Sequence, residues 1–253
     1  MSTHELSVVD GVVVKRFRSW ARGEPAREWL ILRQLAEHAP GLGPAPVRAD
    51  LDADPPSVTM SLVPGVPLTA APTAPQLDAL AAALCRLWTV PADGLPPRRY
   101  LPHEVARTVR RDLTGRRFGD STVDTAVAGA LEFLAAPVVH GPETVLGHSD
   151  PNVTNYLWDG ARVRIVDFED AGRSDRAYEL ATLAEHLSAR GGDWEAFLGR
   201  FDVDRDRLLA GRRTAAALWL HTLLTLDAAR ARNPPGAARR QAEHLLTLLR
   251  GRR

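Results

Sequence analysis

Three side chains define the chemistry within reach of this sequence. His148, Asp150 and Asn155 stand in the spacing H-x-D-x-x-x-x-N, and Asp167, Phe168, Glu169 and Asp170 follow further on. Between them lie Tyr156, Leu157 and Trp158, then Asp159 and Gly160, then an alternating run from Ala161 to Val166. An Asp-Gly pair between two such runs is a strong hairpin signal. A hairpin here starts one strand at Asn155 and ends its partner at Asp167, so the two side chains approach each other. Asp150 sits on the loop just before. Carboxylate and amide oxygens that face one point suit a hard cation such as Mg2+, with phosphate oxygens and water completing its shell. Asp150 is left to accept a proton.

Two other readings compete for these residues. His148 and Asp150 also match part of a two-His-one-carboxylate iron site, with His186 or His221 as the third ligand. That chemistry usually sits in a barrel of strands, whereas the chain after residue 176 reads as helix. Val138, His140 and Gly141 imitate the start of the same loop, but Pro142 stands where an aspartate is needed.

At these residues the chain resembles the aminoglycoside phosphotransferase and choline kinase family. Those proteins are distant relatives of the protein kinases, which carry H-R-D-x-x-x-x-N and then D-F-G. Glu169 in the third place of the second motif is similar to the small-molecule kinases. The segment from Ser174 to Ala181 resembles the family's G-D-P-A-Y-D-L-A. The resemblance implies a two-lobed, protein-kinase-like α+β fold, with a short nucleotide-binding N-lobe over residues 1–64 and a mainly helical C-lobe over residues 65–253. It implies Asp150 as catalytic base, Asn155 and Asp167 as Mg2+ ligands, and His148 as a brace for the loop. The implied reaction moves the γ-phosphate of ATP to a hydroxyl of a small molecule, for example an aminoglycoside-like antibiotic or an amino alcohol. The alternative is a kinase-like binding module without turnover, against which the intact Asp150, Asn155 and Asp167 argue. A kinase acting on protein is disfavoured because no Ala-Pro-Glu element follows Asp167.

Composition narrows the rest. The chain has 253 residues and a net charge of +1, so nothing electrostatic points to nucleic acid or an acidic membrane. The single cysteine, Cys85, excludes an internal disulfide and fits a reducing cytoplasm. No apolar run reaches membrane-spanning length and no signal peptide follows Met1. Arginine supplies every basic residue but one, Lys15. A lone lysine under such a bias marks a place where a planar guanidinium fork would not serve.

Lys15 falls on the second strand of another Asp-Gly hairpin, Leu6 to Val9 and Val12 to Phe17. A helix follows from Glu24 and Pro25 to about His38, with Glu28, Ile31, Leu32 and Leu35 on one stripe. A carboxylate in an apolar stripe needs a partner. The resemblance supplies Lys15 for Glu28, with Glu24 one turn earlier as the other candidate. Strands are expected over Val47–Leu51 and Ser57–Val63. By resemblance the second ends in a hinge whose backbone, at Ser61 and Val63, bonds the adenine, with Met60 behind the base. Helices are expected from a capping box at Thr73 and Gln76, then over residues 104–113, 121–135, 176–189 (capped by Asp175), 207–232 and 237–250. Trp219 and His221 read as core, and Arg98 and Arg99 as a solvated pair. Family members usually carry a glycine-rich phosphate loop before the lysine strand, and residues 1–14 hold none. The expectation is either weak nucleotide binding, phosphates held by Lys15 and metal alone, or a gene start further upstream. Glu169, Asp170 and Glu179 leave two readings open: acids that select an amine-bearing acceptor, or solvated charges.

Overall fold

The computed structural model describes residues 4–137, 141–142 and 144–251. Most of the imitation loop at 138–141 lies outside them. The chain opens with a hairpin, β1 (Glu5–Val9) and β2 (Val12–Arg16). Asp10 and Gly11 take φ of 49° and 77°, the paired positive values a two-residue hairpin turn requires. Helix α1 (Glu24–His38) starts after Gly23, at φ 78°, with Pro25 in its first turn. Strands β3 (Pro46–Asp50) and β4 (Ser57–Ser61) complete a four-stranded antiparallel sheet in the order β1-β2-β4-β3. The apolar stripe of α1, Ile31, Leu32 and Leu35, packs in one core with Phe17, Val58 and Met60.

The chain then leaves this sheet through β5 (Val66–Pro67) and turns mainly helical. Helix α2 (Ala74–Leu87) starts where Gln76 Oε1 accepts from the Thr73 N–H at 2.9 Å. Helices α3 (Pro102–Leu113) and α4 (Ser121–Phe133) precede the motif region. There β6 (Val145–Gly147), β7 (Tyr156–Trp158), β8 (Val163–Ile165) and β9 (Gly172–Ser174) form two small ladders, β5-β7-β8 and β6-β9. Helices α5 (Arg176–Glu185), α6 (Trp194–Leu198), α7 (Arg205–Thr225), α8 (Asp227–Arg232) and α9 (Ala237–Arg250) follow. No described helix is long and apolar enough to cross a membrane.

The apolar residues close into two cores. One runs from the N-terminal sheet through α2, the motif strands and α5. The other is built by α3, α4, α7 and α9 around Val109, Val127, Leu220 and Leu245. Helix α7 contributes Leu208 to the first and Leu220 and Leu224 to the second.

Several boundaries differ from the sequence expectation. The motif hairpin closes with a four-residue loop, since Trp158 pairs with Val163. Asp159 Oδ1 accepts from the N–H groups of Ala161 and Arg162 at 2.9 and 2.7 Å, and this local bonding removes Ala161 from the strand. The helix expected over 176–189 stops at Glu185, because His186 is extended, and resumes as a 3-10 turn at Leu187–Ala189. The helix expected over 207–232 starts at Arg205 under an Asp204 cap and breaks at Leu226, also extended. Strands β5, β6 and β9 and helix α6 were not expected; elements of two to five residues are too short for periodicity to register.

Candidate active site

The H-x-D-x-x-x-x-N segment forms a loop between β6 and β7. Ser149 within it takes φ 72°, and Asp167, beyond β8, takes φ 69°. Left-handed backbone at residues other than glycine is uncommon and gathers at functional sites. Asn155 ends a 3-10 turn, Val153–Asn155, and its carbonyl accepts from Val166 N–H at 3.0 Å. That bond places Asn155 beside the residue preceding Asp167. The Asn155 amide nitrogen donates to Asp150 Oδ2 at 2.9 Å and to the Asp150 carbonyl at 3.3 Å. A carboxylate only accepts, so this contact fixes the amide orientation and leaves its oxygen for another partner.

His148 is buried. Its Nε2 lies 2.9 Å from the Val166 carbonyl and its ring meets Phe168 edge-on at 5.0 Å. The iron reading fails on placement: among the described residues neither His186 nor His221 joins His148 and Asp150 in a cluster with metal-ligand spacing. His148 Nε2 faces a carbonyl, His221 Nε2 pairs with Asp112 at 2.9 Å, and His186 Nδ1 is 2.6 Å from Ser188 Oγ. Among the described residues the one acidic or histidine cluster with metal-ligand spacing is Glu28, Asp167 and Glu169.

Lys15 occupies that cluster. Its ammonium lies 2.6 Å from Asp167 Oδ1, 2.7 Å from Glu28 Oε2 and 2.7 Å from Glu169 Oε2. The candidate partner Glu28 is therefore the one that reaches Lys15, and its other oxygen accepts from Phe168 N–H at 3.3 Å. Glu24 is held instead by Arg22 at 2.7 Å. Burial by itself lowers the Lys15 pKa, but Glu28, Asp167 and Glu169 together drive it above its ordinary value. Burial pushes Glu28 up to about 7 against the pull of Lys15. Asp167 is also desolvated, yet Lys15 holds it below the usual carboxylate range. One residue of this cluster was missed from sequence: His4, whose Nε2 lies 2.8 Å from Glu169 Oε2 and whose Nδ1 accepts from Arg18 N–H at 3.2 Å. A single histidine ahead of a strand carries no motif that would have marked it.

A cleft of about 720 Å³ brings these groups together, lined by Lys15, Glu28, Asp150, Asn155 and Asp167 and by residues 60–63 at the end of β4. Within that segment the Ser61 N–H is already given to the Ala45 carbonyl at 2.8 Å, and Leu62 N–H to Gly11 at 2.9 Å. Asn155 and Asp167 offer the cleft oxygen donors only, and Asp167 is 39% exposed, so the donor set fits a hard cation.

A second charged network lies directly behind the loop. Arg98, read from sequence as solvated, is 2% exposed. It reaches Glu179 Oε1 at 2.6 Å and stacks over Tyr178 at 4.7 Å. Glu179 also accepts from His148 N–H at 3.0 Å, Ser149 N–H at 3.4 Å and Ser174 Oγ–H at 2.5 Å. Gly147 leaves no room for a side chain because this carboxylate stands where its Cβ would be. Asp175 caps α5 through Tyr178 N–H, as expected, and binds Arg207 at 3.0 Å. Asp170 faces Arg22 at 3.9 Å and Arg99 at 3.8 Å. Burial raises its pKa. None of the three acids is solvated: Glu169 and Glu179 are ion-paired at short range, and Asp170 is buried near two guanidinium groups.

A family model for the phosphotransferase enzyme family matches residues 6–218. The chain belongs to that family. The phosphotransferase's fold is also that of solved kinases. A choline/ethanolamine kinase family protein from Mesorhizobium loti superimposes with a TM-score of 0.68 at 16% identity, over 99% of this chain and 86% of that one. Choline kinase LicA from Streptococcus pneumoniae gives 0.66 at 14%, over 98% and 89%. The GDP and kanamycin complex of the aminoglycoside phosphotransferase APH(2")-IIia gives 0.64 at 20%, over 98% and 88%. No curated protein matches by sequence. The phosphotransferase is thus an α+β protein of two-lobed, kinase-like fold, with its small antiparallel sheet first and its helices after, and a small-molecule kinase by family.

Proposed function

We propose that this phosphotransferase moves the γ-phosphate of ATP to a hydroxyl of a small molecule, and that Pro64 closes its N-lobe. The observation that carries the reading is the convergence of Lys15, Asp150, Asn155 and Asp167 on one cleft. In the reaction the acceptor oxygen forms a bond to the γ-phosphorus, the bond to the β–γ bridging oxygen breaks, and ADP leaves. The hydroxyl proton passes to Asp150, whose carboxylate Asn155 orients. Lys15, held by Glu28, neutralises phosphate charge. Asn155 and Asp167 would hold Mg2+, which when bound offsets the charge of the phosphates. Positioning and electrostatics carry most of the catalysis in such transfers.

For the base, Leu6 and Val13 share the Lys15 face of the sheet and meet Leu157 and Val166 across the same cleft, an apolar slot. With the Ser61 N–H engaged in the sheet, Ser61 can offer the adenine its carbonyl only, and Val63 is the second hinge residue. The aminoglycoside-like or amino-alcohol acceptor is the finer reading. Solved neighbours carry the names hygromycin B, kanamycin and choline kinase. In this chain the acids that would greet such a cation are engaged by Lys15, His4, Arg22, Arg99 and Arg98.

The test is Asp150→Asn. Transfer from labelled ATP to a panel of hydroxyl compounds should fall by roughly 10²–10⁴, the usual worth of a positioned base, with nucleotide binding intact. A variant that keeps more than about a tenth of the wild-type rate removes Asp150 from the role.

A further inference from the structure

We infer that the acceptor carries an acidic group, a carboxylate or a phosphate, and that Arg232 receives it. The inference rests on the phosphotransferase reading and adds the charge class of the substrate. Its basis is a comparison of which charges in and around the cleft are spent and which are free.

The acids are spent. Glu169 holds Lys15 and His4 at 2.7 and 2.8 Å, Glu179 is buried on Arg98, and Asp170 is buried off the cleft lining, 3.9 and 3.8 Å from the guanidinium groups of Arg22 and Arg99. Of the three carboxylates that line the cleft, Glu28 is buried on Lys15, which leaves a cationic acceptor only Asp150 and Asp167. Those are the two carboxylates that the chemistry needs for the proton and the cation. An amine bound there would compete with the reaction it was meant to enter.

The free charge is positive. Arg232, the last residue of α8, lines the same cleft as Asp150, Asn152 and Thr154. Its side chain is exposed, and among the described residues no carboxylate pairs with it. A guanidinium at that place repels an ammonium and presents a planar fork that matches carboxylate or phosphate oxygens two at a time. It enters from the helical part of the molecule, on the side that supplies Asp150, whereas Lys15 enters from the sheet. The two cations thus divide the oxyanions: Lys15 takes the nucleotide's, Arg232 the acceptor's.

The experiment compares glycerate, gluconate and glycerol 3-phosphate with ethanolamine, choline and kanamycin as acceptors of labelled phosphate from Mg·ATP. It uses the full chain and its Arg232→Ala and Arg232→Lys variants. At least one acid should exceed every amine by about tenfold in kcat/KM. Arg232→Ala should raise the KM for that acid about tenfold while kcat and the KM for ATP stay within about twofold, and Arg232→Lys should recover part of the loss. An amine as the best acceptor overturns the inference, as does a panel in which no acid is phosphorylated. So does an Arg232→Ala defect that falls on the KM for ATP, which would assign the fork to the nucleotide phosphates. Transfer to an amine that still depends on Asp150 leaves the phosphotransferase reading standing. Loss of transfer to every compound together with absent Mg2+-dependent nucleotide binding takes both down.

Discussion

Two charged networks lie within a few residues of each other along this chain, and they are built to opposite rules. Around Glu179 the charges balance: one guanidinium meets one carboxylate, and both oxygens of the acid are filled by four donors in all. Around Lys15 they do not: one ammonium faces three carboxylates, and one of those, Asp167, is open to the cleft. A satisfied buried network fixes a shape, here the entry to the Asp150 loop. A network with surplus negative charge and an open edge is a place where a cation and its anionic ligand can be exchanged in. Burial and ion-pair distance are alike in the two, so neither identifies the functional one. The charge sum and the exposure of one member do.

Removing a member should separate them. Glu179→Ala leaves the Arg98 charge buried and unpaired, and should cost about 3–5 kcal/mol of stability, read as a lower urea midpoint. A loss below about 1 kcal/mol would mean the network does not brace the loop. Asp167→Ala removes a carboxylate that Lys15 holds ionised, so the midpoint should fall, but by less than for Glu179→Ala because Glu28 and Glu169 remain on the lysine. Mg2+-dependent binding of a fluorescent ATP analogue should fall by roughly 100-fold, the upper range for disturbing the support of a metal site. Unchanged metal dependence would place the cation elsewhere. Lys15→Arg should have the smallest effect, about a tenfold loss of nucleotide affinity in a folded protein, because a fork cannot sit at three carboxylate oxygens as a point charge does. Equal affinity in the two forms would make the lone lysine an accident of composition.

The first hairpin was legible in the sequence because Asp10 and Gly11 can only mean a tight turn between alternating residues. The stripe of Ile31, Leu32 and Leu35 showed that Glu28 needs a cation, and the family resemblance named Lys15 as that cation. The Asp150, Asn155 and Asp167 cluster followed from spacing plus one hairpin, and it survived an error in that hairpin's loop length. What escaped was of a different kind. Arg98 reads as solvated beside Arg99 because its partner, Glu179, is 81 residues away, and no local pattern links them. His4 and Arg232 reach the cleft through tertiary packing alone. The break at Leu226 lies in a stretch, residues 223–232, with no proline or glycine to mark it, so no local breaker signals the end of the helix.

Helix α7 has one further consequence. It is the element that belongs to both apolar cores, 21 residues and roughly 30 Å long at 1.5 Å per residue. Its far end, with α3, α4 and α9, closes a core that holds none of the cleft residues. Substitutions on its α3, α4 and α9 side share no hydrogen-bond or ion-pair partner with Lys15, Asp150 and Asp167, so their free-energy effects should add to those in the cleft without coupling. Such a layout separates the inheritance of chemistry from the inheritance of bulk. The rear bundle can drift through many sequences, at the expense of stability alone, while the phosphate-handling groups in front keep their places.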